Sequence, residues 1–193
     1  YQGVVMSVDP SGRGKDETAY AIVAQLNGYL FVLDAGGFAG GYDADEVLKP
    51  LAMLAKKYNV NEILVESNFG DGMFTTIFSP IVSRIHPCSI EEVRHHIQKE
   101  RRMADTLEPV MNRHRLVIDP RVIEKDYRSI QRYDADVRRS KSLIYQMSRL
   151  TRDKGCLRHD DRLDALSMAV AYWTDSMAKD ADLGIQQARD AAV

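Results

Sequence analysis

The chain has 193 residues, 45% hydrophobic and 28% charged, a balance ordinary for one globular domain with a sizeable core. Its formal net charge of −2 excludes the global basic field that announces an autonomous nucleic-acid binder. No window approaches the roughly 18–20 apolar residues of a membrane span, and Cys88 and Cys156, without spacing pattern or signal peptide, read as reduced thiols of a cytoplasmic protein.

Residues 4–8 are apolar or small and predict a buried strand that ends on Asp9. Residues 10–15 (Pro-Ser-Gly-Arg-Gly-Lys) are turn chemistry, and residues 18–26 predict a second strand. Asn27-Gly28 is a two-residue hairpin signal, and a third strand over 29–35 ends at Gly36-Gly37. The opening is therefore an antiparallel meander. The period then changes: Val47, Leu48, Leu51, Leu54 and Ala55 recur at helical spacing over about 43–58. A strand over 61–66 ends on Glu66. Further on, the expectations are a helix over 70–85 that Pro80 interrupts, a weak strand over 86–92, and a helix over 97–113 despite Pro109. An extended piece over 115–119 precedes helices over 120–131 and 142–150, with a polar, flexible loop over 133–140 between them. The last helix runs from 160 to 177, and a polar tail over 178–193 frays. The chain thus divides into a domain over 1–177 and that tail. A meander followed by alternating helix and strand is α/β, a mixed sheet with helices on both faces. The chain begins at Tyr1 rather than Met, which suggests a piece of a longer polypeptide.

Two strands that end in acids are informative, because a buried carboxylate needs a partner and a metal cation is a common one. If strands 4–8 and 61–66 are parallel neighbours, Asp9 and Glu66 emerge side by side. A third cluster, His159-Asp160-Asp161-Arg162-Leu163-Asp164, opens the last helix. Hard oxygen ligands suit Mg²⁺ or Mn²⁺, and two such ions roughly 3.5–4 Å apart both activate water and stabilise the leaving oxygen of a phosphodiester. Spacing alone does not choose among Asp160, Asp161 and Asp164. Taken singly, Asp9 also fits a turn and the helix acids fit caps. The Gly14-Lys15 pair fails the test for an ATP-binding P-loop, which needs Gly at position 9 and Ser or Thr at position 16, where this chain has Asp9 and Asp16. The histidines and cysteines show no zinc spacing, and His95-His96 read as surface residues more readily than as metal ligands. Basic residues cluster at Arg94, Lys99, Arg101 and Arg102, at Arg138, Arg139 and Lys141, and near Arg158. With Arg13 and Lys15 in the Gly-rich turn, they are the candidate contacts to a DNA backbone.

Four ordered segments, residues 9–18, 66–74, 105–111 and 159–166, resemble the nuclease domain of the large terminase subunit of short-tailed bacteriophages, over nearly the whole chain to about residue 177. The resemblance implies a ribonuclease-H-like mixed sheet of five to six strands. It implies an endonuclease that cuts concatemeric double-stranded viral DNA during genome packaging, with two Mg²⁺ or Mn²⁺ ions, in the host cell cytoplasm. By the family pattern Asp9 is the first acid, Glu66 the second and Asp161 the third, with Asp160 and Asp164 auxiliary. One ion then lies between Asp9 and Asp161 and the other between Asp9 and Glu66. His159, Asn68 and Asp71 are candidates to steady these ligands. The resemblance also implies as partners an N-terminal packaging ATPase absent from this chain, the portal protein and the small terminase subunit. Competing readings are a junction resolvase or RNase H, a catalytically silent DNA- or portal-docking module, and a sugar-kinase-like ATPase.

Overall fold

The computed structural model describes residues 1–11, 16–39, 41–67 and 72–190, with the side chains of 188 and 189 left aside. Three strands, β1 (Gly3–Asp9), β2 (Thr18–Leu26) and β3 (Tyr29–Phe38), form the expected antiparallel meander. Asn27 and Gly28 both take positive φ, 52° and 79°, as a type I′ hairpin turn requires. β3 continues through Gly36 and Gly37, where the sequence predicted its end. These glycines mark a close approach instead, since a Cβ on Gly37 would lie 2.5 Å from Glu17 Oε2.

The helix expected over 43–58 is a wide turn (Ala44–Leu48), capped by Asp43, leading into α1 (Lys49–Lys57). Then come β4 (Glu62–Glu66), α2 (Met73–Ile85), β5 (Ser89–Val93), α3 (Lys99–Asn112), β6 (Leu116–Ile118) and α4 (Pro120–Ser129). Helix α2 runs through Pro80 without the expected interruption; Gly70 and Asp71, where it was expected to begin, lie outside the described residues. The stretch 133–140, read as a loop, contains a short helix α5 (Ala135–Arg138). Its polar backbone is satisfied locally, with the N–H groups of Val137 and Arg138 donating to the Asp134 carbonyl. Helix α6 (Leu143–Arg149) precedes α7 (Asp161–Asp190), which extends past the expected end at 177, although residues 178–187 are all exposed.

Among the described residues the sheet has six strands in the order β5-β4-β1-β2-β3-β6. β1 pairs parallel with β4, β4 with β5, and β3 with β6. Helices cover both faces. On one face Leu48, Leu51, Phe74, Phe78 and Val82 pack on Val4, Met6, Val8, Ile63 and Val65. On the other, Met103, Leu107, Val122, Leu143 and the Leu163–Val170 stretch pack on Val5, Val23 and Leu64. Helix α7 is pinned there by two polar contacts: Ser7 Oγ donates to the Ala165 carbonyl (2.5 Å) and Trp173 Nε1 to the Val23 carbonyl (3.0 Å). Strand period then decides where the acids go. Val5 and Leu64 face α7, so Asp9 and Glu66, an even number of residues further on, share that face.

Candidate metal centre

The β1–β4 register pairs Val8 with Val65, so the next position sets Asp9 beside Glu66 at the C-terminal ends of the two strands. The start of α7 crosses over them and lowers Asp164 onto the pair. Carboxylate oxygens of Asp9, Glu66 and Asp164 all lie within 4.8 Å of one another. Asp9 and Asp164 have side chains only 13% and 2% exposed. A cleft of about 270 Å³ opens onto the acids, lined by Asp9, Pro10, Glu66, His95, Ile97, Lys99 and Arg102.

Two cations from the first turn of α3 enter this cage. Lys99 Nζ lies 3.0 Å from Asp164 Oδ2, 2.9 Å from Asp160 Oδ1 and 3.7 Å from Asp9 Oδ2. Arg102 Nη2 lies 2.7 Å from Asp164 Oδ1 and 3.7 Å from Glu66 Oε1. Burial alone would discharge Lys99, but Asp164, Asp9 and Asp160 outweigh it and hold the ammonium charged. Burial, and then the neighbouring carboxylates, push Asp9 well above the ordinary carboxylate range, and burial with Asp164 raises Glu66. Both carboxyls are thus drawn towards their protonated forms, which a bound divalent ion would oppose.

The sequence expectations separate here. Asp9 and Glu66 meet as predicted. The residue gathered with them is Asp164, expected to be auxiliary, whereas Asp161 groups with Asp16 and His159, again within 4.8 Å. Asp161 Oδ2 is 3.9 Å from Lys141 Nζ, and burial pushes its carboxyl up to about 6. Asp160, the other auxiliary candidate, bonds Lys99.

Several expected DNA contacts turn inward. Lys99 and Arg102 serve the cage, and Lys141 is buried between Asp16 and Asp161, its side chain 3% exposed. The physical reason is that buried carboxylates draw the nearest flexible cations to themselves. Arg94, Arg101, Arg139 and Arg158 are exposed and Arg138 half-buried. Arg13, Lys15, Asn68 and Asp71 lie outside the described residues. His95, read as a surface residue, instead lines the cleft with a buried Nε2 that has no hydrogen-bond partner; burial and then Arg102 lower its pKa, favouring the neutral ring.

The donor set fits a hard divalent cation. All three acids offer carboxylate oxygens, and Oδ2 of Asp164 and of Asp161 are buried and, among the described residues, meet Lys99 and Lys141 as ion pairs without a directional hydrogen bond, so lone pairs remain for a metal. A buried network braces this arrangement from behind. Arg162, 0% exposed, sits between Asp161 and Asp164 on α7 and grips Glu17 with Nε (2.9 Å) and Nη2 (2.8 Å). Its Nη1 bonds Asp126 Oδ1 and Ser129 Oγ, both at 2.8 Å. Burial alone would raise Glu17, but Arg162, with help from Tyr133 and Arg132, holds it down at about 2.

Comparison with known proteins places this geometry. The chain is 48% identical over 183 residues to the terminase large subunit of Enterobacteria phage T3, covering 94% of this chain and 31% of that protein. It therefore spans about a third of the length of that curated relative. Its fold is similar to the human cytomegalovirus terminase nuclease domain (TM-score 0.58, 14% identity, 88% of this chain and 82% of that one). A second fold match is the nuclease domain of the large terminase subunit gp2 of bacterial virus Sf6 (TM-score 0.53, 14% identity, 87% of each chain). The family model described as "Terminase Bacteriophage T7, Ribonuclease H-like domain" matches residues 8–116. A mixed six-stranded sheet carrying acids at the ends of β1 and β4, together with that match, shows that the chain belongs to the ribonuclease-H-like domains of T7-type phage terminases.

Proposed function

We propose that this domain is a divalent-metal-dependent endonuclease that cuts concatemeric double-stranded DNA during viral genome packaging. The observation that carries the reading is the convergence of Asp9, Glu66 and Asp164 at the ends of adjacent parallel strands, open to one cleft. Asp9, Glu66 and Asp164 would hold Mg²⁺ or Mn²⁺. Asp161, on the same helix turn and with an Oδ2 that accepts no hydrogen bond among the described residues, is the further ligand expected for a second ion. A bound pair of such ions supplies an activated water and stabilises charge on the leaving oxygen.

The chain's own groups do the rest. Asp9 and Glu66, whose carboxyls burial raises, would bind an ion as carboxylates. Arg102 fixes the rotamer of Asp164, and the Arg162 network fixes the start of α7, so the acids are held before any ion arrives. Exposed Arg94, Arg101, Arg139 and Arg158, with half-buried Arg138, are the side chains available to a DNA backbone without reading its sequence. The slightly acidic chain makes this binding weak and salt-sensitive, which suits a domain that works beside a packaging ATPase, a portal and a small terminase subunit in the host cytoplasm.

Nicking of supercoiled plasmid with Mg²⁺ or Mn²⁺ tests the assignment. Asp9→Asn, Glu66→Gln and Asp164→Asn should each lower the rate at least about 100-fold, the scale of losing a charge-stabilising group. Full activity in all three folded variants rejects the site. Asp161→Asn tests the second ion, and a preference for junctions or hybrids over duplex would favour a resolvase or RNase H.

A further inference from the structure

The cage holds two cations of different character. Arg102 is only 12% exposed, and its guanidinium makes a directional bond to Asp164 Oδ1. Lys99 has a side chain 34% exposed on a flexible four-carbon stem. Among the described residues its directional bond in the cluster goes to Asp160 Oδ1, which is not among the three gathered carboxylates. Towards Asp164 Oδ2 it is close, at 3.0 Å, yet that oxygen has no hydrogen-bond partner, so the attraction is Coulombic and the lone pairs stay open. Divalent ions approach carboxylate oxygens to about 2.0–2.6 Å. An ammonium already 3.0 Å from Asp164 Oδ2 and 3.7 Å from Asp9 Oδ2 competes with such an ion for the same oxygens.

We propose that Lys99 is a built-in counter-cation of the carboxylate cage, and that a divalent ion is held by Asp9, Glu66 and Asp164 only after the Lys99 ammonium has withdrawn towards Asp160. This inference rests on the reading of the cage as a metal centre. Lys99 keeps its bond to Asp160 throughout the swing, so the exchange never strands a bare ammonium. Arg102 stays in place and preserves the shape of the cage. The consequence is a metal affinity set below what three carboxylates would otherwise give, because each ion must outcompete a tethered charge.

The test is Mn²⁺ binding to the chain, followed by calorimetry at fixed ionic strength. Lys99→Met should bind Mn²⁺ at least about tenfold more tightly than the unaltered protein, a change of about 1.4 kcal/mol. Lys49→Met, which removes an equal charge from the exposed Lys49–Asp45 pair, should leave affinity within about twofold, since exposed charges are screened over this range. Asp160→Asn should weaken binding in the unaltered background and do nothing in the Lys99→Met background, because Asp160 acts through Lys99. Equal affinity of Lys99→Met and Lys49→Met overturns the proposal, and so does an equal loss from Asp160→Asn in both backgrounds. A Mn²⁺-soaked crystal of the unaltered protein gives a readout independent of the variants' folding. There Lys99 Nζ should have left Asp164 while remaining on Asp160; an ammonium still against Asp164 beside a bound ion overturns the exchange. Absence of Mn²⁺ binding in every variant, Lys99→Met included, would reject the metal centre itself together with this inference.

Discussion

Replacing Arg162 by Met is the sharpest probe of what holds the start of α7 in place. The substitution removes four hydrogen bonds from a fully buried guanidinium, two to Glu17, one to Asp126 and one to Ser129. Glu17 keeps Arg132 Nη2 at 2.7 Å and the Tyr133 hydroxyl, and Asp126 keeps Ser142 Oγ and the Leu143 N–H. Breaking a buried ion pair costs about 3–5 kcal/mol, and these surviving partners put the expected loss at the low end, about 3 kcal/mol. For a domain of this size that is a fall in Tm of roughly 6–12 °C. Urea denaturation followed by far-UV circular dichroism should show the midpoint fall by about 1.5 M at unchanged slope, taking a slope of about 2 kcal/mol/M. A loss below about 1 kcal/mol would refute the reasoning, because it would mean that the four bonds of Arg162 contribute little to the fold. A normal loss of stability with unchanged Mn²⁺ binding would separately refute the claim that this network positions Asp164.

Other expectations follow from the same contacts. The Glu17 carboxyl, near 4.5 ordinarily and about 2 in the fold, is less protonated folded than unfolded between those values. Its contribution of roughly 3 kcal/mol is therefore fully present above about pH 4.5 and lost as pH falls towards 2. Arg162→Met should flatten that acid limb in urea titrations at stepped pH, and an unchanged limb would exclude Glu17 as its source. Gly37→Ala puts a Cβ 2.5 Å from Glu17 Oε2 and should cost about 1–3 kcal/mol by thermal melting; a neutral result would mean that β3 moves freely there. Trp173→Phe leaves the Val23 carbonyl without its donor and should cost about 1–2 kcal/mol while plasmid nicking per folded molecule stays the same. A large drop in nicking would show that the middle of α7 is coupled to the cage.

Much of this arrangement was legible in the residues. The alternation of facing along β1 and β4, both buried on their two faces, carries Asp9 and Glu66 to one side, and parallel pairing then sets them together. Which helix acid comes closest to that pair was not legible. Asp160, Asp161 and Asp164 fall within about 100° of one helix turn, so spacing cannot rank them. What ranks them is where α7 crosses β1, a tertiary fact fixed by the Ser7–Ala165 contact. The inward turn of Lys99 and Arg102 was not legible for a related reason. A run of basic residues looks like a solvated face until the crossing of α3 shows that this turn points at buried carboxylates. Gly36-Gly37 looked like a stop because glycine serves both turns and close approaches, and only the position of Glu17 distinguishes them.

The cage draws its first acid from the opening strand and its last from the closing helix. During synthesis the N-terminal strands leave the ribosome long before α7 exists, so a nascent chain carries Asp9 and Glu66 without the residue that completes them. The three-carboxylate cage is then incomplete until translation has passed α7 and the helix has docked on Ser7 and Val23. A chain truncated before residue 159 should keep much of its sheet yet bind Mn²⁺ no better than an exposed acidic surface. The order of the elements thus makes the gathering of the three carboxylates a late event in building the domain.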